Sequence, residues 1–172
     1  TKMNMEQIQE AGALLREGAL VAFPTETVYG LGGDAFNPES SRKIYAAKGR
    51  PSDNPLIVHI CRLEDMKRVA VRIPEQAWKL AETFWPGPLT MILKKSDKVP
   101  KTTTGGLDTV AIRMPADSVA AALIRRSGIY VAAPSANASG RPSTTKAEHV
   151  IEDLDGKIDV IIDGGASSIG LE

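Results

Sequence analysis

The sequence predicts an α/β domain with a mixed sheet covered by helices on its faces. Three observations predict it. Segments of helical period alternate with short, nearly all-apolar runs of five or six residues. Those runs show no strict in-out alternation, as expected of strands buried on both faces. Polar, flexible loops leave strand ends at 24–33, 134–144 and 163–170, and a cationic loop at 49–55 enters one. Ligands of open α/β sheets collect at such edges.

Taken in order, Ile8, Ala11, Leu14 and Leu15 recur at helical spacing within residues 4–17, and Gly18 marks the stop. Ala19 to Phe23 reads as a strand ended by Pro24. The run Thr25-Glu26-Thr27-Val28-Tyr29-Gly30-Leu31-Gly32-Gly33 then supplies hydroxyls, one carboxylate and three glycines. It is either a loop whose backbone approaches a ligand closely or a plain glycine-rich turn. It matches neither the G-x-x-x-x-G-K-[ST] phosphate loop nor the G-x-G-x-x-G dinucleotide fingerprint.

Asn37-Pro38-Glu39 offers an N-cap, a first helical residue and a first-turn acid, so a helix is predicted from Pro38 to about Lys48. In the following stretch Arg50 and Asn54 each precede a proline, which favours extended backbone and stiffens residues 49–55. Leu56-Ile57-Val58-His59-Ile60 reads as a buried strand. Lys48 and Arg50 therefore stand at a sheet edge. They are either fixed cations for an anion or a solvated pair favoured by the helix dipole.

Leu63 to Val71 and Pro74 to Trp85 predict two helices; in the second, Ala77, Leu80, Ala81 and Phe84 share one face and Pro86 closes it. Trp78 and Trp85 read as packing aromatics. Trp85-Pro86-Gly87-Pro88 turns into a strand at Leu89 to Leu93. Residues 95–108 lose apolar periodicity and predict a long polar loop, whether lid, binding segment or disordered stretch. Thr109 to Met114 is a strand in which Arg113, amid apolar neighbours, needs an internal carboxylate or a bound anion.

Residues 116–126 predict a helix ended by Gly128, and Ile129 to Ala133 a strand. Its exit, residues 134–143, is rich in Ser and Asn that either meet a ligand or cap turns. Thr145-Lys146-Ala147-Glu148 reads as a capping box opening the next helix. Ile158 to Ile162 is the last strand, before Asp163-Gly164-Gly165.

The length of 172 residues suits one domain with a real core, and 42% apolar and 24% charged residues are ordinary for a globular chain. Lys plus Arg and Asp plus Glu both count 21. Zero net charge argues against a dedicated nucleic-acid binder and leaves room for a local basic patch. The single cysteine, Cys61, excludes an internal disulfide and points to a reducing, cytoplasmic setting. Without a Cys/His cluster, no protein metal site is expected. No apolar run approaches a membrane span, no signal peptide is visible, and no membrane partner is expected. A start at Thr1 predicts a processed or trimmed chain.

Several segments, in order along nearly the whole chain, resemble the YrdC-like threonylcarbamoyl-AMP synthases. They are Phe23-Pro24-Thr25-Glu26-Thr27-Val28-Tyr29-Gly30-Leu31-Gly32, the Lys48-x-Arg50 pair, Pro55-Leu56-Ile57-Val58-His59, Trp85-Pro86-Gly87-Pro88-Leu89-Thr90 and Pro134-Ser135-Ala136-Asn137-Ala138-Ser139-Gly140. The resemblance implies a mixed, twisted sheet with flanking helices around a large, concave, locally positive cavity. It implies that L-threonine, bicarbonate or CO2 and ATP are condensed to L-threonylcarbamoyladenylate and pyrophosphate, with Mg2+ carried by the phosphates. The product would pass to the tRNA threonylcarbamoyl-transferase machinery, with at most weak direct contact with tRNA or RNA.

By the same matching, Lys48, Arg50, Ser135 and Asn137 hold the triphosphate, with Lys48 and Arg50 as the catalytic cations, while Asn54, Thr109 and Ser143 contact the nucleotide. Thr27, His59, Arg113 and the backbone at Ala133 form the threonine pocket. For His59 a satisfied core histidine stays open as the alternative. The residue types suit the chemistry, because attack of a carbamate on the α-phosphate brings anions together and builds charge on phosphate oxygens. The family pattern after Asp163-Gly164-Gly165 runs through Gly-x-Glu-Ser-Thr, whereas this chain stops at Glu172. Residues 1–172 are therefore expected to be a single catalytic domain, truncated at its C-terminus. An RNA-binding module resting on Lys43, Lys48, Arg50 and Arg141 remains the alternative function.

Overall fold

The structure, a computed structural model, describes residues 5–170. Asn4, Leu171 and Glu172, which the first helical segment and the last motif include, lie outside the described residues. The order is α1 Met5–Arg16, β1 Val21–Pro24, β2 Tyr29–Asp34, α2 Pro38–Lys48, β3 Ile57–His59, a 3-10 turn at Leu63–Asp65, α3 Met66–Val69 and α4 Glu75–Phe84. It continues with β4 Thr90–Lys94, β5 Thr109–Arg113, α5 Ser118–Ser127, β6 Val131–Ala133, α6 Ala147–Leu154 and β7 Val160–Ile161. The strands form one mixed sheet in the order β4-β5-β3-β6-β2-β1-β7. The β3–β5 and β1–β7 pairs are parallel and the other neighbours antiparallel. Among the described residues no helix is long and apolar enough to cross a membrane.

The helix signals hold at α2, whereas the helix expected over Leu63 to Val71 is a 3-10 turn followed by the short α3. Asn37 accepts from the Glu39 amide at 3.0 Å, Pro38 opens α2, and the chain leaves it at Gly49 with φ 63°. Asp117 caps α5 through the Val119 and Ala120 amides at 2.9 and 3.1 Å.

Three expectations are corrected. The glycine run is not a loop beyond Val28 but strand β2, paired with β1 from Tyr29 opposite Pro24 to Gly32 opposite Val21. The glycines serve close packing: a Cβ on Gly32 would stand 2.7 Å from Val131 Cγ1 and 2.8 Å from Phe23 Cε1. The Thr145 capping box does not form, because α6 begins after Lys146, in extended backbone and without a side-chain cap bond. The polar loop 95–108 is neither lid nor disordered stretch but a buttress. Thr103 and Thr104 are fully buried, and Thr103 Oγ1 donates to the Ala35 carbonyl at 2.8 Å while its own carbonyl accepts from Leu56 at 3.0 Å.

The two faces of the sheet are covered unequally. Val58, Met91, Val110, Ile112 and Ala132 bury one face under α2, α3, α4 and α6. On the other, α1 and α5 pack on Val21, Phe23, Val131 and Ala133. That leaves the β3–β5–β4 half bare, where the register sets Ile57 beside Ala111 and Ala111 beside Ile92, which is 70% exposed. The expected cover on both faces is therefore incomplete.

What holds α1 against α5 is a close approach at Gly12. A Cβ there would lie 2.9 Å from the Ser127 nitrogen and 3.0 Å from its Cα, and backbone cannot yield as a side chain can. Arg16 fastens the same contact by donating to the Ser127 carbonyl at 2.8 Å at the C-terminal end of α5. Gly12→Ala is expected to lower unfolding stability by about 1–3 kcal/mol through overpacking, measured by urea denaturation, whereas Ala13→Gly one residue away should cost about 1 kcal/mol or less.

Candidate active site

The bare half of the sheet ends in a hollow of about 270 Å³ at the start of β2 and the end of β6. The β1–β2 turn forms one wall. Thr25 shapes that turn by donating from Oγ1 to the Val28 carbonyl at 2.6 Å, which aims Thr27 across the sheet. Arg113, the last residue of β5, meets it: Nη1 donates to Thr27 Oγ1 at 3.1 Å, and Nε to the Gly87 carbonyl at 3.3 Å.

The partner that Arg113 needs is internal. Its Nη2 donates to Glu26 Oε1, and both side chains are less than a tenth exposed. The other Glu26 oxygen accepts from the Ala116 and Asp117 amides, each at 3.1 Å, at the start of α5. Burial alone would raise the Glu26 carboxyl, but the hydrogen bond from Arg113, backbone donors and the guanidinium charge outweigh it and hold the group below its ordinary value. Sequence reasoning left Glu26 unassigned. Part of the signal was present, since Arg113 called for an internal carboxylate or a bound anion and Glu26 is the single acid between Ala19 and Gly33.

His59, on β3 beside Arg113, is buried and also lines the hollow. Its Nδ1 lies 3.0 Å from the Ile57 carbonyl and 3.3 Å from that of Val131. Carbonyls only accept, so Nδ1 carries the proton and Nε2 is left as an acceptor. Desolvation, then the Arg113 charge, push the imidazole down to about 4. It is neutral near pH 7.

Thr27, His59, Arg113, Ala133 and Ser135 all line this hollow. Lys48 is 3% exposed and donates from Nζ to the Ser135 carbonyl, while the Ser139 amide donates to the Lys48 carbonyl at 2.8 Å. The end of α2 is thus fastened to the 135–139 loop. Arg50 donates to the Pro55 carbonyl at 3.1 Å and leads the chain into β3. Asn137 does what a turn asparagine does, donating to the Ala138 and Arg141 carbonyls at 2.9 and 2.8 Å; its Oδ1 is buried without a partner. Asn54 and Thr109 are exposed and Ser143 borders a separate groove beside Arg141 and His149; these three, like Lys48, Arg50 and Asn137, lie outside the lining of the hollow. Tyr29 and Ile169, which the sequence did not single out, do line it.

Fold and hollow define an α/β domain with a pocket at the ends of its strands, with the Arg113–Glu26 pair at its wall and Lys48 fastened to the Ser135 carbonyl behind it. Residues 13–172 match the Sua5/YciO/YrdC family model, described as telomere recombination, and the chain belongs to that family. A threonylcarbamoyl-AMP synthase of Pyrococcus abyssi (strain GE5 / Orsay) is 57% identical over 166 residues, 96% of this chain and 49% of that protein. One of Bacillus subtilis (strain 168) is 58% identical over 170 residues, 98% of this chain and 49% of that protein. The chain therefore spans about half the length of these relatives. The crystal structure of P. abyssi Sua5 complexed with L-threonine superposes with a TM-score of 0.97 at 55% identity, over 99% of this chain and 50% of that one.

Two outcomes test this geometry. Glu26→Ala strands a buried guanidinium and is expected to cost about 3–5 kcal/mol in urea denaturation. His59 binds a proton less readily folded than unfolded, so stability falls as pH drops through the window from 6.5 toward 4. The loss between pH 7 and pH 5 is expected to be about 2 kcal/mol and to flatten in His59→Gln.

Proposed function

We propose that this domain condenses L-threonine, bicarbonate or CO2 and ATP to L-threonylcarbamoyladenylate and pyrophosphate, and so acts as a nucleotidyltransferase. The observation that carries the reading is the convergence of Thr27, His59, Arg113, Ala133 and Ser135 on one hollow, with Lys48 fastened to its wall. The resemblance of the chain to threonylcarbamoyl-AMP synthases supports it.

In this reading threonine occupies the hollow. Arg113 commits one donor each to Gly87, Thr27 and Glu26, and its remaining N–H groups face the amino-acid carboxylate. The neutral His59, with Nε2 an acceptor, takes a hydrogen bond from the threonine ammonium or hydroxyl. ATP extends from the hollow over the bare sheet half, with Lys48, Arg50, Ser135 and Asn137 at the triphosphate and Asn54, Thr109 and Ser143 along the nucleotide. The carbamate oxygen attacks the α-phosphorus, the bond to the bridging oxygen breaks, and pyrophosphate leaves. Lys48 and Arg50 stabilise the charge on the phosphate oxygens, and positioning supplies much of the remaining acceleration.

Among the described residues no three His, Cys, Asp or Glu side chains cluster to hold a metal. Mg2+ fits here as an ion carried by the phosphates and water, where it neutralises phosphate charge. We assign the product to the tRNA threonylcarbamoyl-transferase machinery and the setting to a reducing cytoplasm, in keeping with the single Cys61 thiol. The RNA-module alternative loses ground on its cations: Lys43 donates to the Gly18 carbonyl at 3.0 Å and Arg141 pairs with Asp153 at 3.0 Å.

Pyrophosphate release, measured with threonine or bicarbonate omitted in turn, tests the reaction; release that ignores either omission would refute it. Arg50→Ala is expected to keep the urea midpoint and lower the rate on the order of 10²–10³. Tight, length-dependent RNA retention on filters at physiological salt without pyrophosphate release would favour the module instead.

A further inference from the structure

A second hollow, of about 310 Å³, opens at the opposite ends of the same strands, where β2 finishes, β6 begins and the chain leaves β3. It shares no lining residue with the first. In a chain balanced at 21 cations and 21 acids, its wall sets Arg62, Arg68, Lys98 and Arg125 against Asp34 and Asp65.

Both acids are turned to internal work. Asp65 accepts from the Tyr130 hydroxyl at 3.0 Å and the Arg62 amide at 3.1 Å, and Asp34 accepts from the Phe36 amide at 3.0 Å. Of the cations, Arg68 reaches the Tyr130 hydroxyl and the rest are less committed. Lys98 and Arg125 form no ion pair with another described residue, and the exposed Arg62–Glu64 pair is loose at 3.9 Å. The field in the hollow is therefore positive, and guanidinium groups match phosphate oxygens in fork geometry. Phosphate alone would leave the other wall unused. Phe36 and Tyr130 stand edge to face with ring centroids 5.5 Å apart, and Ile124 and Ile129 continue the apolar surface. An aromatic wall beside guanidinium groups suits a planar ring joined to a phosphate, and the volume is at the small end of ligand sites.

We propose that this second hollow binds a nucleoside monophosphate unit, either a free mononucleotide or one residue of an RNA strand. Cys61 lines the same hollow and is the chain's one cysteine. Burial and the neighbouring Asp65 raise its thiol, so it is a slow nucleophile and serves as a reporter, not a reactive group.

The test is the rate of iodoacetamide labelling of Cys61 in the 172-residue chain, with and without AMP. Saturable slowing is expected, about tenfold once AMP stands at roughly ten times its Kd. The slowing should persist in Arg50→Ala, a position outside the lining of the second hollow and assigned above to ATP. It should vanish in the Lys98→Glu, Arg125→Glu double variant, whose urea midpoint and pyrophosphate release stay at the parent value. A short single-stranded oligoribonucleotide that protects at lower concentration than AMP assigns the unit to RNA, and the reverse order assigns it to free nucleotide. Absence of slowing, slowing retained in the double variant, or equal slowing by inorganic phosphate or adenosine alone would overturn the proposal.

Discussion

The buried pair between Arg113 and Glu26 is the constraint around which the first hollow is arranged. A lone guanidinium on a central strand would be a severe desolvation cost, and a lone carboxylate in the β1–β2 turn would be another. Joined, they connect the turn at 25–28, the end of β5 and the start of α5 through the Ala116 and Asp117 amides. The Glu26 carbonyl adds a fourth element by accepting from Ile169 at 2.7 Å, which draws the segment after β7 across the hollow. Net attraction is not the main gain, since burial of such a pair often contributes little to stability. The gain is position: Gly87, Thr27 and Glu26 together hold the Arg113 guanidinium in one orientation at the wall of the hollow.

Tyr29 does for the backbone what Glu26 does for charge. Its amide donates to the Thr144 carbonyl and its carbonyl accepts from Ala136, each at 2.7 Å, so β2 carries the loop that follows β6. Its hydroxyl donates to the Gly165 carbonyl at 2.6 Å and accepts from the Gly164 amide at 3.1 Å. Loops 134–144 and 163–170, distant in the chain, thereby meet over one strand. The hollow exists because α1 and α5, held close at Gly12, cover only the β6–β2–β1 half of their face.

Local signals were legible in the sequence and long-range ones were not. Asn37-Pro38-Glu39 marked the start of α2 because caps act on the residues beside them. Apolar runs located the strands, and Arg113 in such a run called for an internal carboxylate or a bound anion without deciding between them. The glycines of β2 misled because glycine permits both a loop and a close approach. Only the neighbours Phe23 and Val131 decide between them, and Val131 lies about a hundred residues away in the chain. Thr102-Thr103-Thr104 looked solvated by composition, yet Thr103 pairs with Ser41 at 2.7 Å inside the core. The second hollow left no motif, since it draws residues from four separated stretches between Asp34 and Tyr130.

The two readings of the Ser-x-Asn loop, ligand contact or turn cap, are not rivals. Asn137 clamps its turn by donating to Ala138 and Arg141, and Asp153 on α6 holds the Ala138 amide at 3.0 Å. A loop fixed in this way can offer the Ser135 carbonyl to a lysine that is itself 3% exposed. Turn chemistry in the loop is thus the physical condition under which Lys48 can sit desolvated and in register with the hollow, and His59, kept neutral by burial beside Arg113, adds no second positive charge to the opposite wall.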